Sequence, residues 1–554
     1  MPETANSAVA SDVAVVDSRD LPTVDPSTGP GDGPNGSCRR SDRNSYATSA
    51  ALAVTLGAMA AAMFASHRAG HWWGDDWALY IRQAQSLIDG DPGQVTDENL
   101  FTVDQSRGAA FSPPLYPWGF PIILSPFVAV LGPDVDRLTI VPVICATVFA
   151  WSWFALAKRR LGTVPALVGT VAVTMTPLLL GWTELIQSEW PFLAVTGVVL
   201  VALDRLAARN AFVDVAARLW PLAMIGVGAA AAFSVRREGL AMVGAIAAAQ
   251  LVALAAAGRR SWSGGPNGSL VGRLLLPHVA ALATVALGQV LLPSTLVPRY
   301  SGTSVVNVWR FRRDHLEHLA EVSGLKRSWQ DAPEVMGSST LGWIAVAAYV
   351  TAATAGVVLA IVVYRRRDLH LVAYVVGALL IGGSFRSPIN RYVASIAPIL
   401  LLLGAGAVFT AARLIPWRPT PTIVVALLLG ALTVGNIVQA RTRIESAQAV
   451  AERGAVEWGP THPDAVEMFD AVIALSDDGA VIAAPKARAM TLATERLAVQ
   501  VDDYRPLPQS LPIGLVVVER GSDLAAELAD SPADFLEVWA NSRFVIYEPS
   551  ATDR

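Results

Sequence analysis

The stretch YATSAALAVTLGAMAAAMFA, residues Tyr46–Ala65, decides the fold class of this chain. Its 20 residues are apolar or small, apart from a few hydroxyl groups, and they match the length that an α-helix needs to cross a bilayer. Arg39, Arg40 and Arg43 precede it directly, and residues 1–45 are otherwise rich in Pro, Gly, Ser and Asp, which is typical of a disordered tail. Because a cleaved signal peptide rarely has so long a polar lead, we interpret Tyr46–Ala65 as an uncleaved signal anchor.

The composition extends this interpretation to the whole chain of 554 residues. Hydrophobic residues make up 53% and charged residues only 16%, against roughly 25% charged in soluble domains. The net charge of −4 gives no indication of nucleic-acid binding. The two cysteines, Cys38 and Cys145, lie in the polar tail and in an apolar segment, so neither a disulfide nor a cysteine metal site is expected. The chain has no Gly-rich phosphate loop and no dinucleotide fingerprint, which disfavours ATP-driven transport and nucleotide cofactors.

Ten more apolar runs approach membrane-spanning length. They are Leu138–Ala157, Val164–Trp182, Trp190–Leu206, Trp220–Val235, Gly239–Ala257, Leu274–Leu292, Leu341–Tyr364, Leu369–Phe385, Val393–Ala412 and Thr422–Val438. Leu115–Leu131 is apolar too, but prolines and aromatic residues interrupt its start, which suits an interfacial or re-entrant stretch. The sequence therefore predicts an all-α polytopic membrane bundle of about 11 transmembrane helices, residues 46–440.

Charge in the connecting loops predicts the orientation. With a cytoplasmic N-terminus, every predicted inner loop is basic, as the positive-inside rule requires. The basic residues of these loops are Lys158-Arg159-Arg160, then Arg205, Arg209 and Arg218, then Arg259-Arg260 and Arg273, then Arg365-Arg366-Arg367, then Arg413 and Arg418.

Three pieces are then predicted on the outer face. They are a first loop, residues 67–137, a second loop, residues 293–340, and a soluble domain, residues 441–554. In this domain Gly479–Pro485, Ile513–Glu519 and Arg543–Glu548 have the pattern of strands, and Pro485–Gln500 and Asp523–Asn541 that of helices. We expect a small α/β domain.

A pair of adjacent carboxylates begins the chemistry of the first outer loop, in Trp72-Trp73-Gly74-Asp75-Asp76-Trp77-Ala78-Leu79-Tyr80. Ionisable groups at the mouth of an apolar bundle are costly and are candidates for function. The alternative is that Asp75 and Asp76 cap the helix that follows, because Asp is favoured at a helix N-cap.

Arginines at two other outer turns depart from the positive-inside pattern. Arg236 and Arg237 lie between the fifth and sixth predicted spans, and Arg391 lies before the tenth. A guanidinium binds phosphate oxygens bidentately, so an anionic ligand at the outer surface would explain them. The alternative is internal pairing, for example of Arg237 with Glu238 or Glu189.

Two further clusters fit ordinary structural roles better. His315, Glu317, His318 and Glu321 have helical spacing that could hold a metal, but solvated faces of loop helices often look the same. Asp134 and Asp136, next to Pro133, fit a turn or a helix cap.

Taken together, these features resemble the C-type (GT-C) integral membrane glycosyltransferases, in particular the branch with the protein O-mannosyltransferases and the lipid A aminoarabinose transferase. The matching motifs follow the family's order. They are Gly74-Asp75-Asp76-x-x-x-Tyr80 with Ala84, Leu87 and Gly90, then Ser112-Pro113-Pro114-Leu115-Tyr116, Ser188-Glu189, Arg237-Glu238-Gly239 and Arg391-Tyr392.

The resemblance implies a sugar transfer from a polyprenyl-phosphate donor to an envelope glycan, lipid or protein acceptor. In the family the first acidic residue of the outer loop is catalytic, which corresponds to Asp75 here, and Asp75 would act as the base of an inverting displacement. Asp76 is a second acidic residue, where the family commonly has Glu. Arg236, Arg237 and Arg391 would bind the donor phosphate, and Tyr80, Glu189 and Tyr392 the substrate. The branch generally works without a divalent metal, so no metal and no cofactor is expected.

The residues leave two other classes open. A lipid-linked sugar flippase or other transporter would use Asp75 and the arginines as a translocation pathway, although no inverted repeat is visible. A non-catalytic GT-C-like binding protein would use its C-terminal domain instead. The sequence names neither the sugar nor the acceptor.

Overall fold

A computed structural model describes residues 35–106, 115–258, 268–293, 319, 322, 339–382, 390–417, 419–501 and 511–550. The chain divides into two units, Met1–Ala51 and Leu52–Arg554. The first unit is described only from Asn35, in the first part of helix α1. Helix α1 begins at Asn35, so the end of the predicted disordered tail is helical instead. The predicted second outer loop lies almost wholly outside the described residues.

Helices make up the N-terminal four fifths of the described chain. They are α1 (Asn35–Ala65), α2 (Asp76–Asp89), α3 (Pro92–Gln105), α4 (Gly119–Leu131), α5 (Val135–Leu138), α6 (Ile140–Leu161), α7 (Thr163–Thr174), α8 (Pro177–Gly181), α9 (Glu189–Ala208), α10 (Trp220–Val235), α11 (Ala241–Ala257), α12 (Gly268–Leu291), α13 (Ser339–Val362), α14 (Arg365–Gly382), α15 (Asn390–Val393), α16 (Ala397–Ala412) and α17 (Thr420–Glu452). Each of the 11 predicted spans falls on one or two of these helices.

Six helical segments in the described part of the chain are long and apolar enough to cross a membrane. They are Tyr46–Ala65, Val135–Leu161, Glu189–Ala208, Arg237–Ala257, Ser269–Leu291 and Thr420–Glu452. A seventh span results if α7 and the segment Pro177–Glu184, which are bent by 58° across a short break, are counted as one. Four apolar helices are shorter: Gly119–Leu131, Trp220–Val235, Val346–Val362 and Ala397–Ala412. The multi-pass helical bundle is confirmed, whereas the count of 11 spans stays a prediction.

One end of the bundle gathers three of the predicted cytoplasmic loops. Arg160, at the end of α6, donates from Nη2 to Asp204 of α9 and from Nε to Asp368 of α14, both at 2.9 Å. The three side chains are at most 5% exposed, and Arg159 also pairs with Asp204. These contacts fix the ends of α6, α9 and α14 next to each other, as a common side of the membrane requires. We call this the Arg160 end.

The C-terminal domain is a five-stranded mixed sheet flanked by short helices. Its elements are α18 (Pro463–Leu475), β1 (Val481–Ala484), α19 (Ala487–Thr494), β2 (Leu497–Gln500), β3 (Ile513–Glu519), α20 (Asp523–Ala529), β4 (Phe535–Ala540) and β5 (Phe544–Pro549). The strand order is β2-β1-β3-β5-β4; β1 is parallel to both β2 and β3, and β5 is antiparallel to β3 and β4. The small α/β domain is present. The predicted boundary at residue 441 falls inside α17, which continues to Glu452.

Two predicted helices of this domain were too long. Pro485–Gln500 contains α19 and then the strand β2, because the helix ends at Glu495 in a left-handed conformation with φ of 57°. Glycine usually marks such an end, and here no glycine did so. Asp523–Asn541 contains α20 and then β4, with Pro532 between them, a residue that interrupts a helix.

The loop before α2 packs on the C-terminal domain. The Trp73 ring lies 6.3 Å from the Phe469 ring and 6.1 Å from the Phe544 ring, within one hydrophobic cluster of that domain. In α3, the Thr102 hydroxyl donates to the Ala498 carbonyl oxygen of β2 at 2.9 Å. The first loop and the C-terminal domain, both predicted outside, are therefore in direct contact. We call the end of the bundle that makes this contact the Asp75 end, because Asp75 directly precedes α2 there.

From the positive-inside rule we predict that the Asp75 end lies on the outer face and the Arg160 end in the cytoplasm. In a background with both native cysteines replaced, Asp89→Cys and Asp530→Cys are expected to react with an impermeant maleimide on intact cells. Arg209→Cys is expected to react only after permeabilisation. All three positions are exposed. Labelling of Asp89→Cys and Arg209→Cys from the same side would contradict this orientation.

Candidate active site

Asp75 directly precedes α2 but does not cap it. The residue has helical dihedral angles, φ −85° and ψ −16°, and its side chain makes no hydrogen bond to the first turn of α2. Its Oδ1 atom instead accepts a hydrogen bond of 3.4 Å from the backbone N–H of Ala489, in the first turn of α19. The capping alternative for α2 therefore does not hold for Asp75, and the carboxylate faces the C-terminal domain.

The second carboxylate oxygen of Asp75, Oδ2, is buried and accepts no hydrogen bond from any residue that the structure describes. A buried acceptor of this kind is costly unless it serves a purpose. It is free to accept a proton from a bound hydroxyl group.

Asp76 has a different environment. Its Oδ1 atom accepts a hydrogen bond of 2.6 Å from the Tyr116 hydroxyl, and its Oδ2 atom accepts one of 3.0 Å from Nη1 of Arg391. Both oxygens of Asp76 are thus engaged by side chains of other segments, which favours a positioning role over proton transfer.

These environments shift the pKa values of the two neighbouring carboxyl groups in opposite directions. Burial raises the pKa of Asp75 above its usual value, and this exceeds the opposing effect of Arg488 and Lys486. Burial acts in the same direction on Asp76, but Arg391 and the Tyr116 hydroxyl outweigh it, so the pKa of Asp76 lies below its usual value. Pairs of acids with separated pKa values are typical of sites in which one group carries the proton.

Glu189 joins the arginines of two other turns. It lies in the first turn of α9, and its Oε1 atom accepts from Nη1 of Arg236 at 2.7 Å and from Nε of Arg391. Arg236 also donates from Nη2 to Glu238 at 2.8 Å. The sequence alternative of internal pairing is therefore observed, but its partners are Arg236 and Arg391, whereas Arg237 was the arginine named for it.

The turn that carries Arg236 depends on a close backbone approach. A Cβ atom at Gly239 would lie 2.3 Å from the carbonyl carbon of Ala232, so only glycine fits where this turn folds back on α10. Arg236, which directly precedes this turn, donates to Glu189. The Arg237 guanidinium stacks over the Phe233 ring at 4.5 Å and donates to the Phe233 carbonyl oxygen at 3.3 Å.

The two predicted substrate tyrosines border this network. Tyr80 is buried, with its ring 4.7 Å from that of Tyr116 and 4.8 Å from that of Phe120. Burial raises the pKa of Tyr80 further above its usual value, so it stays protonated. The Tyr392 ring lies 5.6 Å from the Arg236 guanidinium, within reach of a cation–π contact.

The sequence did not identify Arg488 as a site residue. This arginine, in α19 of the C-terminal domain, is 2% exposed. It donates from Nε to Asn99 at 2.9 Å and from Nη1 to the Tyr116 hydroxyl at 3.4 Å. Its only sequence signal is its place just after a buried strand, where ligand-binding loops of α/β domains occur.

The remaining sequence candidates lie elsewhere. Asp134 caps α5 by accepting from the backbone N–H of Arg137 at 3.1 Å, as the turn interpretation predicts, and Asp136 accepts from that of Gly70 at 3.1 Å. His315, Glu317, His318 and Glu321 lie outside the described residues. Among the described residues, no group of three or more His, Cys, Asp or Glu side chains could hold a metal ion.

These observations define a polytopic membrane protein with a carboxylate and arginine site at one end of its bundle, closed by a small α/β domain. No family model matches the chain, and no curated protein sequence matches it. Solved structures do. The apo structure of ArnT from Cupriavidus metallidurans superposes with a TM-score of 0.53 at 13% identity, covering 92% of this chain and 99% of that chain.

Two further structures extend the comparison. ArnT from the same organism bound to undecaprenyl phosphate gives a TM-score of 0.50 at 14% identity, covering 90% of this chain and 98% of that chain. An oligosaccharyltransferase from Archaeoglobus fulgidus, tethered with an acceptor peptide, gives 0.47 at 10% identity, covering 92% and 74%. The chain therefore shares the fold of ArnT, and the resemblance predicted from the sequence is confirmed at the level of the fold.

Proposed function

We propose that this protein is a membrane glycosyltransferase that moves a sugar from a polyprenyl-phosphate donor to an envelope glycan, lipid or protein acceptor on the outer face. The observation that carries the proposal is the buried, unpartnered Oδ2 atom of Asp75 beside the arginine network, on a GT-C fold. The ArnT structure with undecaprenyl phosphate supports a lipid-linked donor for this fold.

The proposed reaction needs a base and a cation. Asp75 takes the proton of the acceptor hydroxyl while the acceptor oxygen forms a bond to the anomeric carbon of the sugar. The bond from that carbon to the phosphate oxygen breaks, and polyprenyl phosphate leaves with the electron pair. The displacement inverts the anomeric configuration. General-base catalysis of this kind contributes typically 10²–10⁴-fold.

Stabilisation of the leaving phosphate falls to Arg237, Arg236 and Arg391. Arg236 and Arg391 are held by Glu189, Glu238 and Asp76, which fixes the direction of both guanidinium groups before a ligand binds. Pre-oriented donors of this type are usually the largest single contribution to catalysis. A phosphate anion leaves without protonation, so the site needs no general acid. We propose no metal and no cofactor for this reaction.

A transporter would use the same charges differently. Translocation pathways place ionisable groups and broken helices near the middle of the bilayer. Here Asp75, Asp76, Glu189 and Arg391 gather at one end of the bundle beside a soluble domain, which favours chemistry at the surface.

The cellular test uses a deletion strain of the source organism. Mass analysis of its envelope lipids, glycans and proteins is expected to show one missing sugar residue, restored by the wild-type gene and not by the Asp75→Asn gene. An unchanged envelope, with an intact lipid-linked sugar pool, would contradict the proposed function.

A further inference from the structure

The C-terminal domain has the layout of a ligand-binding α/β sheet. Its three parallel strands have the order β2-β1-β3. The chain therefore runs from β1 to β2 on one side of β1 and then to β3 on the other side. The carboxyl ends of β1 and β3 therefore form a topological switch point, where open α/β sheets bind their ligands. β1 ends at Ala484, two residues before Lys486, which directly precedes α19, and β3 ends at Glu519.

The first outer loop of the bundle occupies this edge. Trp73 lines a pocket there together with Lys486 and Glu519. Asp75, two residues further on, accepts the hydrogen bond from Ala489 in the first turn of α19. The carboxylate thus lies where the N-terminus of a helix favours an anion. The edge that would bind a ligand in a free domain binds the loop that carries Asp75.

Arg488 extends from the same turn of α19 into the site. Its guanidinium bridges Asn99 of α3 and the Tyr116 hydroxyl, and that hydroxyl donates to Asp76. The Arg488 guanidinium also lies 5.4 Å from the centre of the Tyr116 ring. A buried charge that bonds to groups of two segments, and through one of them to a third, is fixed in direction and holds those segments together.

We propose that Arg488 is a positioning residue of the active site and that the C-terminal domain acts through it on Asp75 and Asp76. The domain completes the catalytic loop of the bundle and does not serve as an independent binding module. This inference rests on the proposed function for its kinetic test, and its second test is independent of any activity.

The consequence for proton transfer has a definite sign. The positive charge of Arg488 holds the pKa of Asp75 below the value that burial alone would give. Without that charge the pKa of Asp75 rises, so the base becomes active only at higher pH. The acid limb of the pH–rate profile reports the pKa of this base. A change in packing alone would lower activity without moving that limb.

The kinetic experiment compares Arg488→Gln, Arg488→Lys and wild type in the release of undecaprenyl phosphate from undecaprenyl-phosphate mannose or arabinose. We expect the acid limb of kcat/KM to move up by about one pH unit in Arg488→Gln, as removal of a nearby opposite charge predicts. Arg488→Lys keeps the charge and is expected to keep the limb while turnover falls. An acid limb at the wild-type pH in Arg488→Gln would overturn the proposal.

Two further variants sharpen this comparison. Arg496→Gln removes another arginine of the same domain, one that pairs with Asp478 at 2.8 Å, and is expected to leave the acid limb at its wild-type pH. Asn99→Ala removes an acceptor that fixes the Arg488 guanidinium. It is expected to move the limb in the same direction by a smaller amount, and it replaces Arg488→Gln if that variant does not accumulate.

The activity-independent experiment is a double-mutant cycle of Asp75→Asn and Arg488→Gln on the melting temperature in detergent at pH 8. Because each single change removes the same attraction, the double variant is expected to lose less than the sum of the two. Additive losses would overturn the proposal whatever the enzyme transfers. A coupled pair in a protein that transfers no sugar would leave this inference standing and reject the proposed function.

Discussion

Asp75→Asn is expected to lower the turnover of sugar transfer at least about a hundredfold while the protein still folds and binds its donor. The amide keeps the shape of the side chain, and its carbonyl oxygen still accepts from the Ala489 N–H, so the C-terminal domain stays docked. Only the ability to accept a proton is lost. The measurement is transfer from a polyprenyl-phosphate donor by purified, detergent-solubilised protein, with donor binding measured separately.

Asp91→Asn is the matched control. Asp91 belongs to the same loop and caps α3, where its Oδ1 atom accepts from the backbone N–H of Gln94 at 3.1 Å. Asn caps a helix about as well as Asp, so activity is expected to stay near that of wild type. The activity of Asp76→Asn is expected to lie between those of Asp75→Asn and Asp91→Asn, because Asp76 positions Arg391 and Tyr116. Wild-type-like transfer by Asp75→Asn would contradict the assignment of the base.

Arg237→Ala is expected to weaken binding of polyprenyl phosphate roughly ten- to hundredfold, because a hydrogen bond to a charged group contributes about 1.5–3 kcal/mol. Arg391→Ala is expected to weaken it at least as much, since this change also removes one ion-pair partner from Asp76 and one from Glu189. Lys at either position is expected to rescue only in part, because a point charge cannot replace the planar fork. The measurement is a dissociation constant for undecaprenyl phosphate in detergent or nanodiscs.

Arg413 offers a closely matched control for Arg237. Both guanidinium groups stack on a phenylalanine four residues earlier, at 4.5 Å for Arg237 on Phe233 and at 4.9 Å for Arg413 on Phe409. Arg413 belongs to a predicted cytoplasmic loop, so Arg413→Ala is expected to leave binding unchanged. Equal affinities in Arg237→Ala, Arg391→Ala and wild type would leave internal pairing as the sole role of these arginines.

Much of the candidate site could be predicted because local rules place charges on a side of the membrane. Arginines 236 and 391 stood out against the positive-inside rule, and Glu189 lay at the matching end of its span. The structure brings all three into contact. The apolar pattern indicates at which end of a span, and on which side of the membrane, a residue lies. It does not indicate which carboxylate pairs with which arginine. Arg236 pairs with Glu189 and Glu238, where the internal-pairing alternative had named Arg237.

The contribution of the C-terminal domain could not be predicted in this way. Arg488 and Tyr116 are 372 residues apart in sequence, and no local pattern encodes such a contact. The short strands β2 and β4 were missed for a related reason. Leu497–Gln500 and Phe535–Ala540 are extended because neighbouring strands pair with them, and tertiary pairing overrides the preference of such short stretches.

The central claim is that the protein cleaves a lipid-linked sugar donor and transfers the sugar, and one measurement in proteoliposomes tests it most directly. Purified protein is reconstituted with labelled undecaprenyl-phosphate mannose or arabinose and an envelope extract as the source of acceptor. Release of undecaprenyl phosphate and movement of the label are then followed together. We predict that the label moves to acceptor as undecaprenyl phosphate appears in equal amount, and that Asp75→Asn abolishes both. Transfer of intact donor from one leaflet to the other, with no release of undecaprenyl phosphate, would contradict the account and identify a transporter.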